Sequence, residues 1–207
     1  MQRFLLFPAH FPSIAHFALM AQGQVVFEVE DNFQKQTYRN RYHIYSPNGL
    51  QVLTVPIQHT KTDGHQKTKD VCIDNSMNWQ KQHWKSLETA YRTSPFFEYY
   101  EDELHPLFVK KFSFLMDFNF EAINLLLEFL QIDPSFEKTN SYQLKPENQK
   151  DFRQLINAKK GIELPFEKYT QVFAEKHGFL SNLSILDLLF NEGTNAIAYL
   201  ERQTVNL

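Results

Sequence analysis

The sequence has one cysteine, Cys72, and only 6 glycines in 207 residues. A lone thiol excludes an intramolecular disulfide and a cysteine-rich zinc site, so nothing in the chain demands an oxidising compartment. It also has no glycine-rich phosphate loop, no Gly-x-Ser-x-Gly elbow and no convincing Cys-His pair. A dominant charge is missing as well. The formal net charge is -3 and the pI is near 6.2, which argues against a general nucleic-acid binder and makes any anion site local. No stretch approaches the roughly 20 uninterrupted apolar residues of a membrane span. The apolar run Phe4 to Phe7 is interrupted by Pro8, His10 and Pro12, far short of a signal-peptide core. The cytoplasm is therefore the expected location.

What is present is aromatic. Phenylalanine occurs 20 times and 43% of the residues are hydrophobic, enough for one well-buried core with a helix-rich body and few linkers. The order of elements sets the fold class. Phe4 to Phe7, closed by Pro8, fits a buried strand. Ser13 stands where a helix cap would, before Ile14, Phe17, Ala18 and Met20 at helical spacing, with Gly23 as the stop. Val25, Phe27 and Val29 then alternate with Glu28 and Glu30 as in a strand. Strand, helix and strand within about thirty residues is the size of a βαβ unit, whose ligand crevice lies at the carboxyl ends of its strands. His10 stands at that end of the first strand.

Asn32 to Ile44 concentrates cation and amide donors. Read as extended, it places Lys35, Thr37, Arg39, Arg41 and His43 on one face and Gln36, Tyr38, Asn40, Tyr42 and Ile44 on the other. A stripe of one Lys and two Arg suits a phosphate or carboxylate held by bidentate, charge-assisted hydrogen bonds, and equally suits a solvated edge strand. Ser46-Pro-Asn-Gly49 has turn chemistry, and Leu50 to Ile57 returns as a hairpin partner. His59 to Lys69 reads as a loop, a lid or an insertion, before a short strand over Asp70 to Asp74.

From Asn78 the pattern is helical. Trp79 to Tyr91 aligns His83, Leu87 and Tyr91 at four-residue spacing. Further helices are predicted over Phe96 to Leu104, opened by Ser94-Pro95, and over Phe120 to Leu130, Asp151 to Asn157, Glu167 to Lys176, Ser184 to Phe190 and Thr194 to Leu200, with a polar excursion from Asp133 to Lys150. Asp187, three residues after Ser184, fits a capping box. Glu192, in a Asn191-Glu192-Gly193 helix end, is free to face a cleft. His10 and His16 lack the spacing of metal ligands on one helical face, and no metal site is expected.

These segments together resemble the WbqC-like family. The resemblance is carried by Phe7-Pro-Ala-His-Phe-Pro-Ser-Ile, by Phe33-Gln-Lys with Arg39-Asn-Arg41, by Asn48-Gly49 followed by Leu53-Thr-Val-Pro56, and by Trp79, His83-Trp84, Ala90-Tyr91 and Ser94-Pro-Phe-Phe97. Tyr169-Thr-Gln-Val-Phe173, Gly178-Phe179 and the run from Asn182 to Gly193 extend it over nearly the whole chain. In relatives the opening usually reads closer to Gln-Pro-x-Tyr-Leu-Pro-Trp, where this chain has Ala9, His10, Phe11, Pro12 and Ser13. The resemblance implies a place among surface-polysaccharide, O-antigen-type clusters, and Lys35, Arg39, Asn40 and Arg41 keep the family pattern.

The expected architecture is α/β: a small strand-helix-strand sheet in the amino-terminal half, residues 1 to 77, packed against a mainly helical half, residues 78 to 207, in one domain. The expected function is a transferase or ligase-type enzyme of surface-polysaccharide precursor assembly, taking a small anionic substrate such as a nucleotide sugar or acyl-type donor. The alternative is a non-catalytic accessory that binds an anionic metabolite or a carrier protein. Lys35, Arg39, Asn40, Arg41 and Glu192 are the candidate substrate ligands, and His83 and His10 the candidate bases.

Overall fold

The computed structural model describes residues 2–58, 66–158 and 164–207. Strand β1 (Arg3–Leu6) leads through α1 (Ile14–Gln22) to β2 (Gln24–Phe27), which lies parallel to β1 with Phe4 opposite Val25 and Leu6 opposite Phe27. This is the expected βαβ unit. Every residue of this helix from Ile14 to Met20 is buried, so it is enclosed by the core and not laid on its surface. Ser13 occupies the N-cap without capping through its side chain, because its Oγ is engaged by His16 Nδ1 at 2.9 Å.

A hairpin follows, β3 (Arg41–Ser46) and β4 (Gly49–Thr54), paired antiparallel from Arg41 with Thr54 to Ser46 with Gly49. The extended stripe expected upstream is corrected here. Residues 34 to 40 turn, with Gln36 at φ 62°, so alternation of faces begins only at Arg41. The strand expected over Asp70 to Asp74 is reduced to a 3-10 turn, Thr68–Asp70, and isolated bridges at Cys72 and Ile73. Most of the expected loop from His59 lies outside the described residues.

Helices α2 (Trp79–Tyr91), α3 (Phe97–Leu104) and α4 (Leu115–Phe129) build the second half. Trp79 packs on His83 and Phe118, while the half-buried Trp84 lies against Phe97, His105 and Phe108. The helical half then returns two short strands to the sheet, β5 (Glu137–Lys138) beside β2 and β6 (Lys150–Asp151) beside β1. The order is β5-β2-β1-β6, all parallel. Helices α5 (Ala174–His177), α6 (Ile185–Glu192) and α7 (Ala196–Arg202) complete the chain, with α7 and α6 packed on α1.

Gly193 ends α6 in the left-handed region at φ 55°, and a Cβ there would meet the Phe96 ring at 2.6 Å. Backbone strain and overpacking act together at this position, so Gly193→Ala is expected to lower unfolding free energy by roughly 2 kcal/mol, measured by urea titration. A stability unchanged from wild type would show that Phe96 moves aside freely.

Candidate functional site

The carboxyl ends of β1 and β2, where the crevice of a βαβ unit is expected, are filled with side chains. Every residue from Phe4 to Met20 is buried. Arg39 is fully enclosed there. It forms an ion pair with the equally enclosed Asp31, donates to Thr37 Oγ1 at 3.1 Å, and lays its guanidinium 4.2 Å from the Phe7 ring centre. Directly after β2, buried Glu28 accepts from Glu30 N at 2.8 Å and from the Thr139 hydroxyl at 2.9 Å, with Arg153 at 4.0 Å. Arg153 binds Asp151 and donates to the carbonyls of Gln143 and Leu144, fastening the 139–149 excursion over the sheet end.

His10 lies in the same plug. The Asn119 amide is fixed by donating to the carbonyls of Pro8 and Arg39, so its Oδ1 accepts from His10 Nδ1 at 3.0 Å. His10 Nε2 is left buried without a partner. Burial, reinforced by His83 and opposed by the Asn119 hydrogen bond, holds its pKa down to about 3. His83, on α2, donates from Nε2 to Thr54 O at 3.3 Å and accepts from the Tyr42 hydroxyl at 3.4 Å. Burial, opposed by the Thr54 carbonyl, lowers it to about 4. Both rings are neutral and walled from solvent at neutral pH.

The structure brings Lys35, Asn40 and Arg41 together and sets Arg39 apart. The three line a cavity of about 430 Å³ with Pro56, Asp74 and Met77. Among the described residues Arg41 has no ion pair, and its Nε is buried without a partner. Asn40 donates from Nδ2 to Val55 O at 2.9 Å, leaving Oδ1 buried and unpaired. Asp74 accepts from the Ser76 hydroxyl and backbone N–H, which hold its carboxyl below the ordinary range. Two cations against one anion, with orphan donor and acceptor atoms in the wall, suit a polar anion.

Glu192 does not join this cavity. It lines another, of about 560 Å³, with Glu167, Lys168, Tyr199 and Arg202. Asp187 is not a capping carboxylate: Ser184 caps α6 alone, accepting from Leu186 N, while buried Asp187 accepts from Tyr91 and Tyr169 hydroxyls and from Gln171 Nε2. Burial raises this carboxyl above its ordinary range, against the pull of the three donors. A third cavity, of about 460 Å³, is lined by Tyr38, His43, Leu50, Leu155, Phe179 and Asn182. Simple alternation places His43 on the face of Arg41 and Tyr38 on the opposite one, and the turn before β3 brings Tyr38 round to the same cavity. Among the described residues no group of three or more His, Cys, Asp or Glu side chains is placed to hold a metal ion, and no helix is long and apolar enough to cross a membrane.

The family model for the WbqC-like protein family matches residues 8–161 and 148–199. The chain belongs to this family. The match spans the plug, the hairpin and both cavities beside β3. The Mycobacterium tuberculosis (strain ATCC 25618 / H37Rv) protein named Uncharacterized protein Rv1507c is 29% identical over 205 residues, covering 84% of this chain and 87% of that protein. No solved structure matches significantly.

Proposed function

We propose that this WbqC-like protein is a transferase or ligase-type enzyme of surface-polysaccharide precursor assembly, and that the cavity of Lys35, Asn40 and Arg41 receives the phosphate-bearing part of its substrate. One observation carries the anion assignment. Arg41 faces a cavity with its guanidinium unpaired among the described residues, whereas Arg39, two positions earlier, is neutralised by Asp31. An unpaired guanidinium beside an ammonium is electrostatically costly unless water or an anion screens it. A nucleotide-linked sugar or an acyl-type donor carries such an anion. Glu192, which lines a different cavity, is not part of this subsite.

A second reading is favoured by the position of His10 and His83, neither of which lines that cavity. In it the protein is a non-catalytic accessory that holds an anionic metabolite or docks a carrier protein.

Binding of uridine diphosphate, measured by calorimetry, tests the anion assignment. Arg41→Lys conserves charge but cannot reproduce the planar two-pronged donor. Its loss is expected to cost roughly 1.5 to 3 kcal/mol, about ten- to a hundredfold in affinity, with unfolding unchanged. Equal affinities in wild type and variant would exclude bidentate recognition by Arg41. Turnover of a nucleotide sugar by the wild type then separates the enzyme from the accessory.

A further inference from the structure

We propose that His43, held by Tyr38, is the cavity-facing acid–base group of this protein, serving an acceptor subsite next to the one that takes the anion. The inference rests on the enzyme reading above. Arg41 and His43 occupy alternate positions of β3 and so project to one face; Arg41 lines the cavity with Lys35, and His43 lines the neighbouring one.

The ring geometry supports this. Tyr38 Oη lies 3.2 Å from His43 Nδ1, with the two rings at 5.0 Å and 74°. Nε2 has no protein partner among the described residues and is not among the buried orphan atoms, so it is the nitrogen open to the cavity. A base oriented through one nitrogen by a third group and open at the other is the arrangement that acid–base catalysis requires. His10, His16 and His83, by contrast, are all enclosed. Among the described residues the titratable and charged groups facing His43 are Tyr38 and Arg41; the opposite wall contributes Asn157, Ser181 and Asn182, which carry no charge. Burial first and Arg41 second keep the imidazole below its ordinary range, hence neutral at pH 7.

In the reactive form Nδ1–H donates to Tyr38 Oη and Nε2 carries the lone pair. Nε2 takes the proton from an acceptor hydroxyl or amine as that atom bonds to the electrophilic centre of the donor. The donor's leaving group departs with the bonding electron pair and receives the proton back from the imidazolium. The chemical class of the acceptor follows from the walls: an uncharged hydroxyl- or amine-bearing group between apolar Leu50, Leu155 and Phe179 and the amides of Asn157 and Asn182.

Hydrolysis of p-nitrophenyl acetate by the full chain tests the assignment with a defined acyl probe. Water gives one proton to Nε2 as its oxygen bonds to the acetyl carbon, p-nitrophenolate leaves with the electron pair, and the resulting acetic acid and the imidazolium each release a proton to solvent, leaving acetate and neutral His43. The rate is expected to exceed that of an equal concentration of free imidazole and to rise with pH through a single ionisation below 6.5. His43→Gln should lower it at least tenfold, while Tyr38→Phe should lower it and move the pH midpoint, a change that loss of packing alone would not produce. A wild-type rate no greater than imidazole, or an unchanged rate in a folded His43→Gln protein, overturns the proposal. Uridine diphosphate binding by the wild type reports separately on the anion cavity, so the failure of either assignment is distinguishable from that of the other.

Discussion

Replacing Arg39 with alanine is expected to lower the unfolding free energy by about 3 to 5 kcal/mol, because it strands Asp31 as an uncompensated buried charge. Both partners are enclosed, at side-chain exposures of 1% for Arg39 and 4% for Asp31. The guanidinium also loses Thr37 and the Phe7 face. Urea titration at pH 8 measures the effect. Substituting both partners at once, Arg39→Met with Asp31→Leu, should recover most of the loss, since an apolar pair of similar volume needs no desolvation. If Arg39→Ala instead keeps wild-type stability and weakens uridine diphosphate binding, Arg39 serves a ligand and the plug is not its purpose.

Acid will destabilise the protein well above the carboxylate range. His10 is held near pKa 3, and His16 and His83 near 4, all from an ordinary 6.5 and all chiefly by burial. These folded-state values lie below those of the unfolded chain, so below pH 6.5 the unfolded state binds more protons. The stability from keeping the three rings neutral is complete above pH 6.5 and drains away as pH falls toward 4. Relative to pH 8, the loss at pH 5.5 is expected to reach about 4 kcal/mol, since each ring contributes about 1.4 kcal/mol per pH unit. Urea midpoints at pH 8, 6.5 and 5.5 check this, and a flat profile across that interval would mean the rings titrate in place.

Elements whose pattern spans several turns or residues could be read directly from the sequence. The first βαβ unit follows from an apolar run closed by Pro8 and from helical spacing before Gly23. Helix α2 follows from His83, Leu87 and Tyr91, and its observed ends coincide with the expected ones. What escaped was short or tertiary in origin. Strands β5 and β6 are two polar, exposed residues each; they have no period to detect and exist because β2 and β1 offer open edges. Helix α4 begins five residues before Phe120, at Leu115, with no side-chain cap to announce it. The same distinction applies to the site. Arg41 stands out in the cation-rich run from Asn32 to Ile44, and it does line a cavity. Arg39 looked identical in sequence, and only Asp31, eight residues back and folded against it, separates the two. His43 was visible as a member of the cationic face, but its tie to Tyr38 depends on a turn at Gln36 that glycine or proline does not mark.

The return of β6 to β1 joins residues 150 and 151 to Phe4 and Leu5, a span covering most of the chain. A nascent polypeptide thus carries its first two strands with both sheet edges unpaired until the helical half has been synthesised, and exposed edges invite wrong partners. Contacts of such sequence separation are slow to form, because the connecting chain must surrender its entropy before they reward it. Arg153, two residues beyond Asp151, gathers Asp151 and the Gln143 and Leu144 carbonyls, so the segment that closes the sheet also fastens the excursion above it.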